Sequence, residues 1–168
     1  MLFSLLSSPS FGFEIKSRYA TLIYKDEKQL LEFNNKALKN ISYHGKSVLF
    51  ADEVTGKLDV LIEEVILILV QSQPTEELKF KIMLLPSDTD IQKIYSEKYG
   101  KGDDYIAFYS PKDNTIFISV DDLRLGVLAH ELAHVIINSY FYNAPTKMIH
   151  EALAQFVEKH IDEEASRR

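Results

Sequence analysis

Val127-Leu128-Ala129-His130-Glu131-Leu132-Ala133-His134-Val135-Ile136, followed by Ile149-His150-Glu151-Ala152-Leu153-Ala154-Gln155-Phe156-Val157-Glu158, is the stretch on which the reading of the chain turns. Residues four apart share one face of an α-helix, so His130 and His134 can present imidazole nitrogens to a single point. A zinc ion suits that point, and Glu131, one step round the helix, is near enough to accept a proton from a water activated there without being a ligand. A zinc site that performs chemistry keeps three protein ligands and one open position, so a third group is required. Glu151 is the expected ligand. It stands 16 residues beyond His134, not counting either, and opens a second amphipathic pattern in which Ile149, Leu153, Phe156, Val157 and Ile161 recur at helical spacing. Glu158, two turns later on the same side, is the competing ligand. Between the two patterns, Pro145 marks a break, because a proline is tolerated in a helix's first turn but not in its interior.

The paired segments resemble the gluzincin-type zinc metallopeptidases, which carry a His-Glu-x-x-His helix and a later Glu-x-x-Ala-type helix, and most closely their small peptidase MA-like members. The resemblance implies His130, His134 and Glu151 as ligands of one Zn2+, Glu131 as general base, and a peptide or protein substrate. It also implies a zincin-like fold, in coarse element order from about Arg18 onward. The metzincin pattern fits less well, since Ile137 and Tyr140 occupy the places of its glycine and third histidine.

A transition-state oxyanion requires a donor opposite the metal. Tyr140, Tyr142, His150 and His160 are the candidates, and of these only His160 lies beyond the glutamate, where related enzymes often place a tyrosine or histidine. For partners that orient the ligating histidines, Gln155, Asp121 and Asp122 are nearest in sequence. His44 reads as a loop residue. The plain alternative for His130 and His134 is an ordinary pair of helix histidines, but burying two imidazoles without metal or partner would be costly. For Glu151 the plain alternative is an acid placed in a first turn to favour the helix dipole.

The chain has 168 residues, 46% hydrophobic and 26% charged, which suits one globular domain able to bury a core. Residues 1–168 are therefore read as a single minimal metallopeptidase-like catalytic domain, with residues 1–12 expected to be poorly ordered. A net charge of −6 argues against a nucleic-acid surface. With no cysteine, disulfides and thiolate ligands are excluded and the compartment cannot be read from redox chemistry. The apolar start, Met1 to Ser8, lacks the basic lead of a secretory signal. The longest apolar run, Val65 to Val70, is too short to span a bilayer. A soluble protein is expected, cytoplasmic or exported with its signal removed.

Along the chain, residues 13–24 read as one strand and Lys25 to Leu38 as a helix. Lys39 to Asp52 reads as a connection. Asp59 to Ser72 is a largely buried helix, Lys79 to Leu85 a strand ended by Pro86. Ser87 or Asp88 caps a helix running to Tyr99 and closed by Gly100 and Gly102. Tyr105–Tyr109 and Thr115–Val120 flank a turn and form a β-hairpin, whose second strand leads into the histidine helix through Asp121 or Asp122 as cap. The fold class is α+β: a small mixed or antiparallel sheet on one side and helices on the other. The expected function is zinc-dependent hydrolysis of a peptide bond, with the substrate paired to the exposed hairpin strand as the resemblance implies. The alternatives are a catalytically silent or latent zinc-binding interaction module and a regulatory protease that cuts a repressor.

Overall fold

Apolar residues that alternate along short segments build the sheet, and longer segments with a 3.6-residue period cover it. The computed structural model describes residues 12–45, 49–72, 75, 77–100, 104–143 and 145–167. Within them lie five strands, β1 (Phe13–Lys16), β2 (Ala20–Tyr24), β3 (Phe80–Leu85), β4 (Ala107–Ser110) and β5 (Thr115–Ser119). They form one sheet in the order β1-β2-β3-β5-β4. β2, β3 and β5 run parallel, whereas β1 and β4 are antiparallel to their neighbours and occupy the two edges. The sheet is therefore mixed and the class α+β. All but Gly12 of the segment expected to be poorly ordered lies outside the described residues, as does Gly102.

Five helices accompany it: α1 (Glu27–Phe33), which continues as a π-helical turn over Asn34–Leu38, then α2 (Phe50–Val70), α3 (Asp88–Tyr99), α4 (Leu125–Tyr140) and α5 (Lys147–Arg167). Polar caps fix two of their starts, the second of them expected from sequence. The Asp26 side chain accepts from the Gln29 N–H before α1, and that of Ser87 accepts from the Asp90 N–H before α3. At the end of α3, Gly100 takes a positive φ of 83°, which a residue with a Cβ rarely adopts.

The helices do not all lie on one side of the sheet. Alternate residues of a strand point to opposite faces. Ile116 and Ile118 of β5 join the main core with α2, α4 and α5, while Phe117 joins a second cluster with Leu85, Phe108 and Ile91 of α3. Hence α3 covers one face and the other helices the opposite one, with β4 as the rim between them.

Besides this placing of α3, three further expectations change. Residues 13–24 are two strands of a hairpin, because the Ser17 hydroxyl accepts from the N–H groups of Tyr19 and Ala20 and folds the chain back. The helix expected from Asp59 starts at Phe50. Val54 and Leu58 extend the buried stripe of Leu61, Ile62, Val65 and Ile66 backwards, all fully buried. Gly56 does not interrupt it, since the Tyr43 ring lies where a Cβ would be. Finally, neither Asp121 nor Asp122 caps α4, which begins after Arg124 without a side-chain cap. The Lys36 ammonium instead holds the linker by donating to the carbonyls of Val120 and Asp121, at 2.7 and 3.0 Å.

Candidate metal centre

The first requirement of the site is that α4 be held firmly. Leu128, Ala129, Leu132, Ala133, Val135 and Ile136 are fully buried, so the helix is anchored in the core and His130 and His134 are left on the flank facing α5. The two helices approach closely where Gly126 meets Asp162. A Cβ on Gly126 would stand 2.5 Å from an Asp162 carboxylate oxygen, so glycine permits the crossing. α5 starts after Thr146, whose hydroxyl accepts from the Ile149 N–H, and its first turns carry His150 and Glu151 toward α4.

The structure brings the three expected ligands together. One ligand atom each from His130, His134 and Glu151 lies within 4.8 Å of the others. Glu151 sits between the imidazoles, with Oε1 3.2 Å from His130 Nε2 and Oε2 3.7 Å from His134 Nε2. Tetrahedral bonds of about 2.0–2.1 Å separate ligand atoms by roughly 3.3 Å. The donor set therefore fits a metal ion with only small side-chain adjustments. Burial, followed by the neighbouring His130 and His150, lowers the His134 pKa from 6.5 to about 3, so this imidazole is in the neutral form a metal requires.

Glu131, one step round α4, lines the same cleft as these three side chains and reaches the edge strand β4. It is 7% exposed, and burial, despite a hydrogen bond from the Tyr109 backbone N–H, raises its pKa from 4.5 to about 8; Glu151 and Glu158 add to the rise. Its Oε2 is buried without a protein hydrogen-bond partner. An orphaned carboxylate oxygen beside a His-His-Glu cluster is the atom a cation or an activated water would satisfy.

Sequence reasoning assigned Glu158 the role of rival ligand. Its Oε2 is instead 3.0 Å from His130 Nδ1, on the side of the ring away from Glu151. It occupies the outer position from which a carboxylate orients a metal-binding histidine. The residues named for that role sit elsewhere: Gln155 is exposed on a groove along α5, Asp121 lines a separate cleft with Lys25 and Pro86, and Asp122 is exposed.

Of the four oxyanion candidates, His150 alone lines the cleft, its ring centroid 4.8 Å from that of His134 and its Nε2 buried without a partner in the protein. Tyr140 uses its hydroxyl to accept from the Thr75 N–H, Tyr142 is fully exposed, and His160 stacks on Phe156 and pairs with Glu164. His44 lies exposed in the connection before α2.

The cleft has a volume of about 450 Å³ and runs from the metal residues past β4 to Tyr95 and Tyr105. β4 is an open edge beside it. The Ile106 carbonyl accepts from the Ser119 N–H, so by antiparallel alternation Ala107 and Tyr109 direct their N–H and C=O groups away from β5. The Tyr109 N–H is the one that Glu131 takes. This link could not be found from sequence, because it joins a helix to a strand more than twenty residues earlier. Among the described residues, no helix is long and apolar enough to cross a membrane.

Comparison with models of protein families, with curated proteins and with solved structures gives no match.

Proposed function

We propose that the chain is a small zinc-dependent peptidase, zincin-like and of the gluzincin type, that hydrolyses peptide bonds in extended segments. One observation carries the reading: a buried carboxylate, Glu131, with an unpartnered oxygen, lining the same cleft as three convergent side chains able to hold a cation. His130, His134 and Glu151 would hold the ion, with Glu158 fixing the His130 ring through Nδ1. A zinc ion held there would supply Lewis-acid polarisation of the scissile carbonyl and acidify the attacking water.

The chain's own residues do the rest. Glu131, kept ionised once a cation's charge is held nearby, takes the proton of the attacking water on Oε2 and returns it to the leaving amine, while the Tyr109 N–H holds the carboxylate in place. The substrate backbone pairs with the N–H and C=O of Ala107 and the C=O of Tyr109, the groups left open on the edge of β4, so the scissile bond lies along the cleft.

The test is hydrolysis of a broad peptide library by the zinc-loaded protein and by Glu131→Gln. Cleavage that is abolished by chelator and by Glu131→Gln, with zinc still bound to the variant, supports the reading. Unchanged cleavage by Glu131→Gln refutes it. Zinc binding without cleavage favours the alternative of a silent interaction module.

A further inference from the structure

The cleft continues past β4 onto the opposite face of the sheet, where its wall is aromatic. Tyr95 of α3 stands 4.5 Å, ring centroid to ring centroid, from Tyr105 and 5.1 Å from Phe108, with the Phe108 ring stacked on Phe117 at 4.9 Å. Each ring is braced by another, and Ile91 and Leu85 fill the space behind them. Tyr95 and Tyr105 are only partly buried and line the same cleft as His130, Glu131 and His134. Such a surface is rigid before anything binds, so covering it costs little ordering of side chains.

The alternation of a strand decides what can cover it. Ala107 and Tyr109 belong to the core on the α4 face, and Phe108 to the cluster on the α3 face. A peptide paired with this edge alternates in the same way. Where one of its residues turns its side chain toward α4 and the metal ligands, the next turns its side chain toward Phe108, Tyr95 and Tyr105.

We infer that Tyr95, Tyr105 and Phe108 form a specificity subsite for a large apolar or aromatic substrate side chain, next in sequence to a residue facing the histidines. The subsite rests on the proposed reading of the cleft as a peptide-binding site. It makes the preferred substrate an extended segment carrying Phe, Tyr, Trp or Leu at one fixed position near the scissile bond.

The experiment separates the subsite from catalysis. Fluorescent decapeptides that carry Phe, Ala or Asp at one scanned position are titrated into zinc-loaded Glu131→Gln protein, with and without Tyr95→Ala or Tyr105→Ala. Tyr95→Phe serves as a control that keeps the packing of α3, and far-UV circular dichroism reports folding. At one register the Phe peptide should bind about tenfold more tightly than the Ala or Asp peptide. Tyr95→Ala and Tyr105→Ala should each remove most of that advantage while leaving the Ala peptide's affinity unchanged, and Tyr95→Phe should preserve it. Equal binding of all three peptides at every register, no binding at all, or a preference undiminished in both alanine variants would overturn the subsite. A preference that follows the tyrosines, in a protein whose zinc-loaded Glu131 form hydrolyses nothing, would uphold the subsite and overturn the peptidase reading.

Discussion

His130 Nδ1 lies 3.0 Å from Glu158 Oε2, while His130 Nε2 lies 3.2 Å from Glu151 Oε1 on the other side of the ring. One imidazole is thus clasped by two carboxylates of the same helix, seven residues apart. The inner one shares the cluster with His134 and the outer one sets the ring's orientation and tautomer.

The two glutamates should therefore differ in mutation. Glu158→Gln keeps all three ligands but weakens the orienting bond, and is expected to reduce zinc affinity by about 10- to 100-fold. Competition with a chromophoric chelator measures this. An affinity equal to that of the unaltered protein would show that Glu158 is a bystander.

Without metal, Glu131 makes stability depend on pH. Burial raises its pKa from 4.5 to about 8, so the fold favours the protonated acid. That contribution is complete below the unfolded value and is lost as pH rises through the folded one. His134, lowered from 6.5 to about 3 by burial, acts in the opposite sense: its contribution is present above 6.5 and disappears as pH falls toward 3. In chelator, Glu131→Gln should therefore gain stability over the unaltered protein as pH rises from 4.5 to 8, by on the order of a few kcal/mol. Urea unfolding across that range checks it. A difference independent of pH would contradict the assignment.

The α4–α5 crossing supports a third expectation. The Asp162 carboxylate accepts from the Gly126 backbone N–H and lies where a side chain at Gly126 would go. Gly126→Val should push the Asp162 carboxylate off the Gly126 N–H, strain the α4–α5 contact and cost about 1–3 kcal/mol of stability. Because the metal ligands come from both helices, zinc affinity should fall as well. Thermal melts with and without zinc test both effects, and a variant unchanged in both would show that the crossing tolerates bulk.

The clustering of His130, His134 and Glu151 was legible in sequence because each piece is local. His130 and His134 are related by one helical turn, and Glu151 stands in the opening turns of the next helix. The β4–β5 hairpin was equally plain from its turn residues, with Asn114 in the left-handed region at φ 49°. Features that depend on two elements meeting were hidden. Glu158 reads in sequence as a rival ligand, but that it meets His130 at Nδ1 depends on the angle at which α5 crosses α4, and Tyr109 reaches Glu131 only because β4 forms the sheet edge. The early start of α2 was obscured because only Val54 and Leu58 carry its buried stripe back beyond Asp59. The hairpin at Ser17 depends on a hydroxyl folding back on its own backbone, a signal weaker than the β-forming residues around it.

Everything proposed for this cleft requires that His130, His134 and Glu151 bind one metal ion jointly. Equilibrium dialysis against zinc, followed by elemental analysis of the unaltered protein and of Glu151→Ala, measures this directly. One zinc ion per chain is expected in the unaltered protein, with at least about tenfold weaker binding in Glu151→Ala. No bound zinc in the unaltered protein, or identical binding in both, would contradict it.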